Sequence, residues 1–129
     1  MTSLLIVDDE QGVRSVISRW AITNGYTVTE SDSATAGLEQ MHRSACDIAL
    51  CDLNMPGRSG RWLADQIRTQ FPKTAVVMTT GDAKDVAARL KEDAAPCLMK
   101  PFTIAELATT LRRALDWHIK QVAAGRCAT

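Results

Sequence analysis

The sequence lacks several features that would each assign the protein to a broad class. Its charges balance, with 15 basic and 15 acidic residues among 129, whereas a dedicated nucleic-acid binder usually carries a basic excess. No apolar run approaches the roughly 20 residues that span a bilayer. The opening residues MTSLLIVDDE lack the basic and long apolar regions of a signal peptide. We therefore expect a cytoplasmic protein that binds neither membrane nor nucleic acid directly.

Cysteine and histidine are too sparsely arranged to indicate a zinc site or a disulfide framework. No CxxC pair occurs, and neither histidine has a ligand-like neighbour in the sequence. The residues concerned are Cys46, Cys51, Cys97, Cys127, His42 and His118. Cysteines in apolar stretches of a cytosolic protein are typically reduced, buried and small, and we adopt that interpretation.

The chain does contain a regular alternation of short apolar runs and amphipathic segments. Its length favours one domain with a core of its own. The apolar runs predict five strands, at 3–7, 26–30, 46–51, 74–78 and 96–99. Helical spacing predicts five helices, at 10–23, 33–43, 59–70, 83–92 and 104 to about 122. This alternation predicts an α/β domain over residues 1–124, with a parallel sheet between two helical layers, and a short tail at 125–129.

The same spacing predicts which side chains of the first and last helices face the core. The apolar stripe of the first helix is Val13, Val16, Ile17, Trp20 and Ala21. The stripe of the last helix is Ile104, Leu107, Ala108, Leu111 and Leu115. Both stripes are expected to pack against the sheet.

One stretch, IALCDLNMPG, places a carboxylate directly after a buried strand. The four apolar residues 48–51 suit a strand that is buried on both faces. Asp52 follows them, and the pair Pro56-Gly57 then turns the chain. Asp52 is therefore expected at the carboxyl end of this strand, next to a loop.

Polar residues follow other predicted strands in the same way. Strand one ends in Asp8-Asp9, strand three in Asp52, strand four in Thr79-Thr80 and strand five in Lys100-Pro101. Binding sites in open parallel sheets form outside the carboxyl ends of the strands. Taken alone, acidic residues before a helix are typical N-terminal caps. Taken as a set, these residues bring three carboxylates, a hydroxyl and an ammonium to one edge.

Three crowded carboxylates repel one another, and the residue types leave two resolutions open. One carboxyl group can have a raised pKa. Alternatively, a hard divalent cation such as Mg²⁺ can bind there through carboxylate and phosphate oxygens. A nearby lysine then faces phosphate as a point charge, and a carboxylate can itself act as the nucleophile that forms an aspartyl phosphate.

The motifs VDDE, CDLNMPG, MTTG and KPF, in this order and spacing, resemble those of the receiver domain of two-component response regulators. The resemblance covers residues 3 to about 122. It implies a flavodoxin-like fold of five strands and five helices, with a parallel sheet in the order 2-1-3-4-5.

The resemblance also implies the chemistry of the acidic residues. Asp52 would be the phosphoacceptor. Mg²⁺ would be bound by Asp9, Asp52 and the backbone carbonyl of Asn54, with Asp8 acting mainly through water. The phosphoryl donor would be a phosphohistidine on a histidine kinase or a phosphotransfer protein.

The remaining matched positions are assigned by resemblance to sensing and turnover. Lys100 would pair with phosphoryl oxygens, and Thr80 would offer its hydroxyl to the phosphoryl group and move toward it. The Lys100–Pro101 peptide bond would be cis. Asn54 and Asp82 would tune the hydrolysis of the aspartyl phosphate. The output would pass to a protein target or a covalently linked output domain, with a homodimer through the fourth and fifth helix faces as a further expectation.

One position departs from the family pattern. Cys97 stands three residues before Lys100, where the family usually has tyrosine or phenylalanine. The coupling in which an aromatic ring turns inward as the threonine moves cannot operate in that form here. A degenerate receiver that acts only by binding partners therefore stays open as an alternative.

Two further alternatives fit the residues less well. A phosphohydrolase of the haloacid dehalogenase type needs a second acid two residues after its nucleophile, where Asn54 stands, and carries that nucleophile after the first strand. A flavin-binding flavodoxin needs a phosphate loop where Asp8, Asp9 and Glu10 would repel phosphate. We therefore expect no enzyme activity beyond self-directed phosphoryl transfer and dephosphorylation.

Overall fold

Five parallel strands form one sheet in the computed structural model, which describes residues 1–84, 96–123 and 125. The strands are β1 (Ser3–Val7), β2 (Thr27–Ser31), β3 (Ile48–Asp52), β4 (Ala75–Thr80) and β5 (Cys97–Met99). Their order across the sheet is β2-β1-β3-β4-β5, which confirms the order 2-1-3-4-5. The edge position of β2 agrees with its partly polar sequence.

Four helices lie in the described residues and connect or follow the strands. They are α1 (Gln11–Thr23), α2 (Ala34–Arg43), α3 (Gly60–Gln70) and the C-terminal helix (Ile104–Ala123). The helix predicted at 83–92 lies outside the described residues from position 85 onward. None of the four described helices is long and apolar enough to cross a membrane.

Short-range polar contacts explain why two of these helices start where they do. The Ser33 hydroxyl accepts a hydrogen bond from the Ala36 N–H at 3.2 Å at the start of α2. The Ser59 hydroxyl accepts one from the Trp62 N–H at 3.1 Å at the start of α3. Both contacts satisfy N–H groups that lack partners inside the helix.

Side chains alternate between the two faces of the sheet and build a core on each face. The face covered by α2 and α3 is formed by Leu5, Val7, Ala49, Cys51, Val76 and Met78. The face covered by α1 and the C-terminal helix is formed by Leu4, Ile6, Ile48, Leu50, Val77 and Leu98. All five residues of β3 are buried, as expected for a central strand between two helical layers.

Strand β4 is longer than the apolar pattern predicts. It includes Thr79 and Thr80, which we expected to follow the strand rather than belong to it. The Thr79 carbonyl accepts a hydrogen bond from Leu53 N–H at 2.8 Å, and the Thr80 carbonyl accepts one from Lys100 N–H at 2.7 Å. These bonds to the neighbouring chain segments extend the ladder, and β-branched threonine suits it.

Two predicted core positions are wrong. Val16 is 61% exposed and Ile104 is 42% exposed. The buried stripe of α1 is narrower than predicted and is formed by Ile17, Ser18 and Ala21, so Val16 lies off its centre. Ile104 is the first residue of its helix, where no preceding helical turn covers its side chain.

The start of α3 approaches the end of β3 so closely that only glycine fits. Gly60 is buried, and a Cβ atom built on it would overlap the backbone carbonyl group of Asp52. The contact involves backbone atoms of a central strand, which cannot move aside as a flexible side chain can. Gly60 therefore allows α3 to pack against the residue that ends β3.

We expect Gly60→Ala to lower the free energy of unfolding by about 1–3 kcal/mol, because the added methyl group forces the helix start or the strand end to shift. Gly12→Ala is the matched control, since Gly12 lies in the first turn of α1 with nothing within 4 Å of its would-be Cβ. It should leave stability unchanged or raise it by up to ~1 kcal/mol. Urea unfolding of both variants checks this, and a Gly60→Ala protein as stable as wild type would contradict it.

Candidate functional site

The carboxyl ends of β1 and β3 and the segments that follow them bring three carboxylates together. Asp8 and Asp9 follow β1 directly, and Asp52 is the last residue of β3. One carboxylate oxygen from each lies within 4.8 Å of the others. Asp8 and Asp52 are buried, whereas Asp9 is exposed. The predicted acidic cluster therefore forms, with one member facing solvent.

Lys100, which follows β5, bridges the two buried carboxylates. Its Nζ lies 2.8 Å from Asp8 Oδ2 and 3.2 Å from Asp52 Oδ2. Burial lowers the pKa of Lys100, but the hydrogen bond to Asp8 and the charges of Asp52 and Asp8 outweigh burial and raise that pKa overall. The lysine thus stays charged and offsets part of the repulsion between the carboxylates.

The carboxyl group of Asp52 is held at both oxygens. Oδ1 accepts a hydrogen bond from the Asn54 N–H at 3.0 Å, and Oδ2 accepts one from Lys100. Burial raises the pKa of Asp52, the Asn54 hydrogen bond and the Lys100 charge lower it, and the Asp8 charge raises it. The pKa is raised overall, because the side chain is only 4% exposed and its ionised form has lost its hydration.

Asp8 and Asp9 differ in what their carboxylates contact. Asp8 Oδ1 accepts a hydrogen bond from the Glu10 N–H at 2.9 Å, and Oδ2 accepts one from Lys100. The carboxylate of Asp9 makes no hydrogen bond or ion pair with the described part of the chain. Asp9 is therefore the carboxylate that an incoming cation can bind without displacing a protein group.

The Thr80 hydroxyl is fully buried and is linked to the segment that follows Asp52. The Asn54 side-chain amide donates a hydrogen bond to Thr80 Oγ1 at 3.0 Å. The backbone N–H of Asp82 donates a second at 3.1 Å. The two positions that the resemblance assigns to turnover, Asn54 and Asp82, thus both contact the predicted switch hydroxyl.

The contact between Asn54 and Thr80 was missed at the sequence level. The two residues lie 26 positions apart, and no local pattern connects them. The register of β3 and β4, in which Asp52 pairs with Thr79, brings the segment after Asp52 alongside the end of β4. A sequence-based prediction would have needed that register together with the rotamer of Asn54.

The predicted cis peptide bond and the described cysteines lie in different parts of the structure. The Lys100–Pro101 peptide bond is cis. Cys97 is half-buried at the start of β5 and packs against the core on the α2 and α3 face. Cys51 is fully buried, and burial raises the pKa of its thiol to about 12. Cys127 lies outside the described residues.

Comparisons with known proteins identify the family to which this fold and site belong. A family model described as response regulator receiver domain matches residues 4–112. Response regulator protein FleR of Pseudomonas aeruginosa is 33% identical over 101 residues, which cover 77% of this chain and 21% of FleR. Sensor kinase CckA of Brucella abortus is 36% identical over 118 residues, which cover 88% of this chain and 12% of CckA.

A solved structure shows the same fold. Response regulator protein TrrA from Thermotoga maritima, in complex with Mg²⁺-BeF, has a TM-score of 0.80 at 23% sequence identity. The alignment covers 88% of this chain and 99% of that chain. The chain belongs to the response regulator receiver domain family of two-component signalling. It spans only 21% of FleR and 12% of CckA.

We expect Asp52→Asn to be more stable than wild type at neutral pH in the presence of EDTA. The folded state raises the pKa of Asp52, so the folded protein binds this proton more tightly than the unfolded chain does. Stability is therefore lost as pH rises from the ordinary pKa of 3.8 through the raised pKa of the folded state. The advantage of the variant should vanish below the ordinary value of 3.8, where the carboxyl group is neutral in both states.

Denaturant unfolding across this pH range measures the effect, with Asp116→Asn as control because Asp116 is an exposed carboxylate on the C-terminal helix. The control should match wild type at every pH. An Asp52→Asn variant that is less stable than wild type at neutral pH would show that pairing with Lys100, and not burial, dominates the energetics of Asp52.

Proposed function

We propose that this chain is a phosphorylation-controlled signalling domain in which Asp52 accepts a phosphoryl group from a histidine kinase or a phosphotransfer protein. The observation that carries the proposal is the placement of Asp52 at the end of the buried strand β3. There its carboxylate lies within 4.8 Å of Asp8 and Asp9 oxygens and within 3.2 Å of Lys100 Nζ. Family membership supports this role for the domain.

The donor set fits Mg²⁺, a hard cation that prefers oxygen ligands and keeps several waters. Asp9 and Asp52 would bind the ion together with the Asn54 backbone carbonyl, and Asp8 would act mainly through water. The structural neighbour TrrA was solved with Mg²⁺-BeF, which supports the same type of centre here. When bound, Mg²⁺ offsets negative charge on the carboxylates and on the transferred phosphoryl group.

The side chains then account for the transfer step. A carboxylate oxygen of Asp52 attacks the phosphorus of the phosphohistidine, and a new O–P bond forms. The P–N bond breaks, and its electron pair returns to the imidazole nitrogen. Lys100, which already contacts Asp52 Oδ2, would face the phosphoryl oxygens as a point charge. We propose no enzyme activity beyond this self-directed phosphoryl transfer and the later dephosphorylation of Asp52.

Thr80 would change its hydrogen bonds when Asp52 is phosphorylated. Its hydroxyl oxygen now accepts hydrogen bonds from the Asn54 amide and the Asp82 N–H. A phosphoryl group on Asp52 adds charge and three strong acceptor oxygens nearby. The hydroxyl would then donate to a phosphoryl oxygen, and this differential contact would shift a pre-existing equilibrium between two positions of Thr80. Through these contacts Asn54 and Asp82 would influence how long the phosphoryl group persists.

The output would pass to a protein target or to a covalently linked output domain. The first relatives extend well beyond the segment that this chain matches, so both routes are consistent with them. A homodimer through the fourth and fifth helix faces stays a prediction, since the helix predicted at 83–92 lies outside the described residues from position 85 onward. In the C-terminal helix, Trp117 and Ile119 are exposed apolar side chains.

The test is phosphorylation by acetyl phosphate with and without Mg²⁺, read by intact mass. We expect an acid-stable, base-labile adduct of about 80 Da that requires Mg²⁺ and is absent from Asp52→Asn, as for an aspartyl phosphate. Asp65→Asn should be modified like wild type, because Asp65 is exposed on α3. An adduct that survives Asp52→Asn would refute the assignment of the phosphoacceptor. Mg²⁺ binding without any adduct would leave two candidates: a receiver that accepts a phosphoryl group only from its own kinase, or a domain that acts by binding alone.

A further inference from the structure

Arg14, on α1, contacts the backbone of the acidic segment rather than its carboxylates. Its Nη1 donates a hydrogen bond to the backbone carbonyl oxygen of Asp8 at 2.6 Å. Its Nε lies 3.5 Å from Glu30 Oε1 on β2, and the arginine side chain is only 14% exposed. Arg14 therefore joins α1 to the end of β1 and to β2 through a largely buried guanidinium group.

The carbonyl that Arg14 holds belongs to the peptide group joining Asp8 to Asp9. Because a peptide group is planar, holding its oxygen restricts rotation of the whole plane about the line that joins its two Cα atoms. The next peptide group, between Asp9 and Glu10, is held by the hydrogen bond from Glu10 N–H to Asp8 Oδ1 at 2.9 Å. Both peptide planes that flank the Asp9 Cα are thus held, one of them by Arg14.

Asp9 itself has no such support at its side chain. Its carboxylate is exposed and makes no hydrogen bond or ion pair with the described residues. The position of that carboxylate depends on the backbone at Asp9 and on its own side-chain torsions. Loosening the Asp8–Asp9 peptide would therefore increase the conformational entropy that Asp9 loses when it binds a cation.

Charge alone would make an arginine unfavourable beside a cation site. The ion pair with Glu30 places a negative charge next to the guanidinium and offsets its repulsion of a divalent cation. Arg14 can therefore order the acidic segment while adding little net positive charge near the carboxylates.

We propose that Arg14 is a positioning residue for Mg²⁺ binding, which acts by fixing the peptide between Asp8 and Asp9. The inference rests on the proposed function, because it takes Asp9 as a direct ligand. Arg14 touches neither the cation nor the phosphoryl group. It acts through the backbone, as outer partners of metal ligands do.

The test is calorimetric titration of Mg²⁺ into the unphosphorylated protein, so that no phosphoryl-transfer activity enters the readout. We expect Arg14→Gln to weaken Mg²⁺ affinity by about tenfold, the lower end for loss of an outer partner of a metal ligand. Removal of a positive charge alone would strengthen the affinity, so the sign separates positioning from electrostatics. Arg14→Lys keeps the charge and a donor group, so it should bind Mg²⁺ more tightly than Arg14→Gln.

Arg19→Gln is the matched control, because Arg19 is an exposed arginine on the same helix, and it should bind Mg²⁺ like wild type. Thermal unfolding in EDTA confirms that each variant is folded at the titration temperature. A folded Arg14→Gln protein that binds Mg²⁺ as tightly as wild type, or more tightly, overturns the inference.

One more variant separates failure of the inference from failure of the proposed metal centre. Asp9→Asn should abolish most Mg²⁺ binding, since Asp9 is the exposed carboxylate of the acidic cluster. If Asp9→Asn binds Mg²⁺ like wild type, the proposed metal centre is wrong, and the proposed role of Arg14 is wrong as well. If Asp9→Asn loses binding while Arg14→Gln retains it, only the role of Arg14 is wrong.

Discussion

The bridge that Lys100 makes between Asp8 and Asp52 is the interaction on which this site depends. Two buried carboxylates at 2.8 and 3.2 Å from one ammonium can stay close together because that charge offsets their repulsion. The compensation is incomplete, since burial still raises the pKa of Asp52 and Asp9 contributes a further charge. The remaining negative charge makes this edge of the sheet suited to a divalent cation.

The parallel sheet supplies the rigidity that such a cluster needs. Strand β3 is buried along its whole length and ends in Asp52, and the start of α3 packs on the carbonyl of that residue at Gly60. The pairing of β3 with β4 then brings Asn54 to the Thr80 hydroxyl. Two hydrogen bonds therefore connect Asp52 to Thr80. The Asn54 N–H donates one to Asp52 Oδ1, and the Asn54 side-chain amide donates the other to Thr80 Oγ1.

Sequence patterns predicted the strand and helix bounds within the described residues to within two positions. They also predicted the cluster of Asp8, Asp52 and Lys100, because a parallel sheet brings the carboxyl ends of its strands to one edge. They failed where packing decides: the exposure of Val16 depends on how α1 is rotated against the sheet. The contacts of Arg14 and Asn54 depend on rotamers and strand register, which no local pattern encodes.

A crystal structure of the protein with Mg²⁺ and beryllofluoride, a phosphoryl mimic, would show directly whether Asp52 is the phosphoacceptor. We expect beryllium bonded to an Asp52 carboxylate oxygen, Mg²⁺ bound by Asp9 and Asp52, and Lys100 facing fluorine. We also expect the Thr80 hydroxyl to leave the Asn54 amide, which it contacts at 3.0 Å in the unmodified protein, and to turn to a fluorine atom. Beryllofluoride bound elsewhere, or Mg²⁺ bound without Asp9, would contradict the proposed phosphorylation site and metal centre.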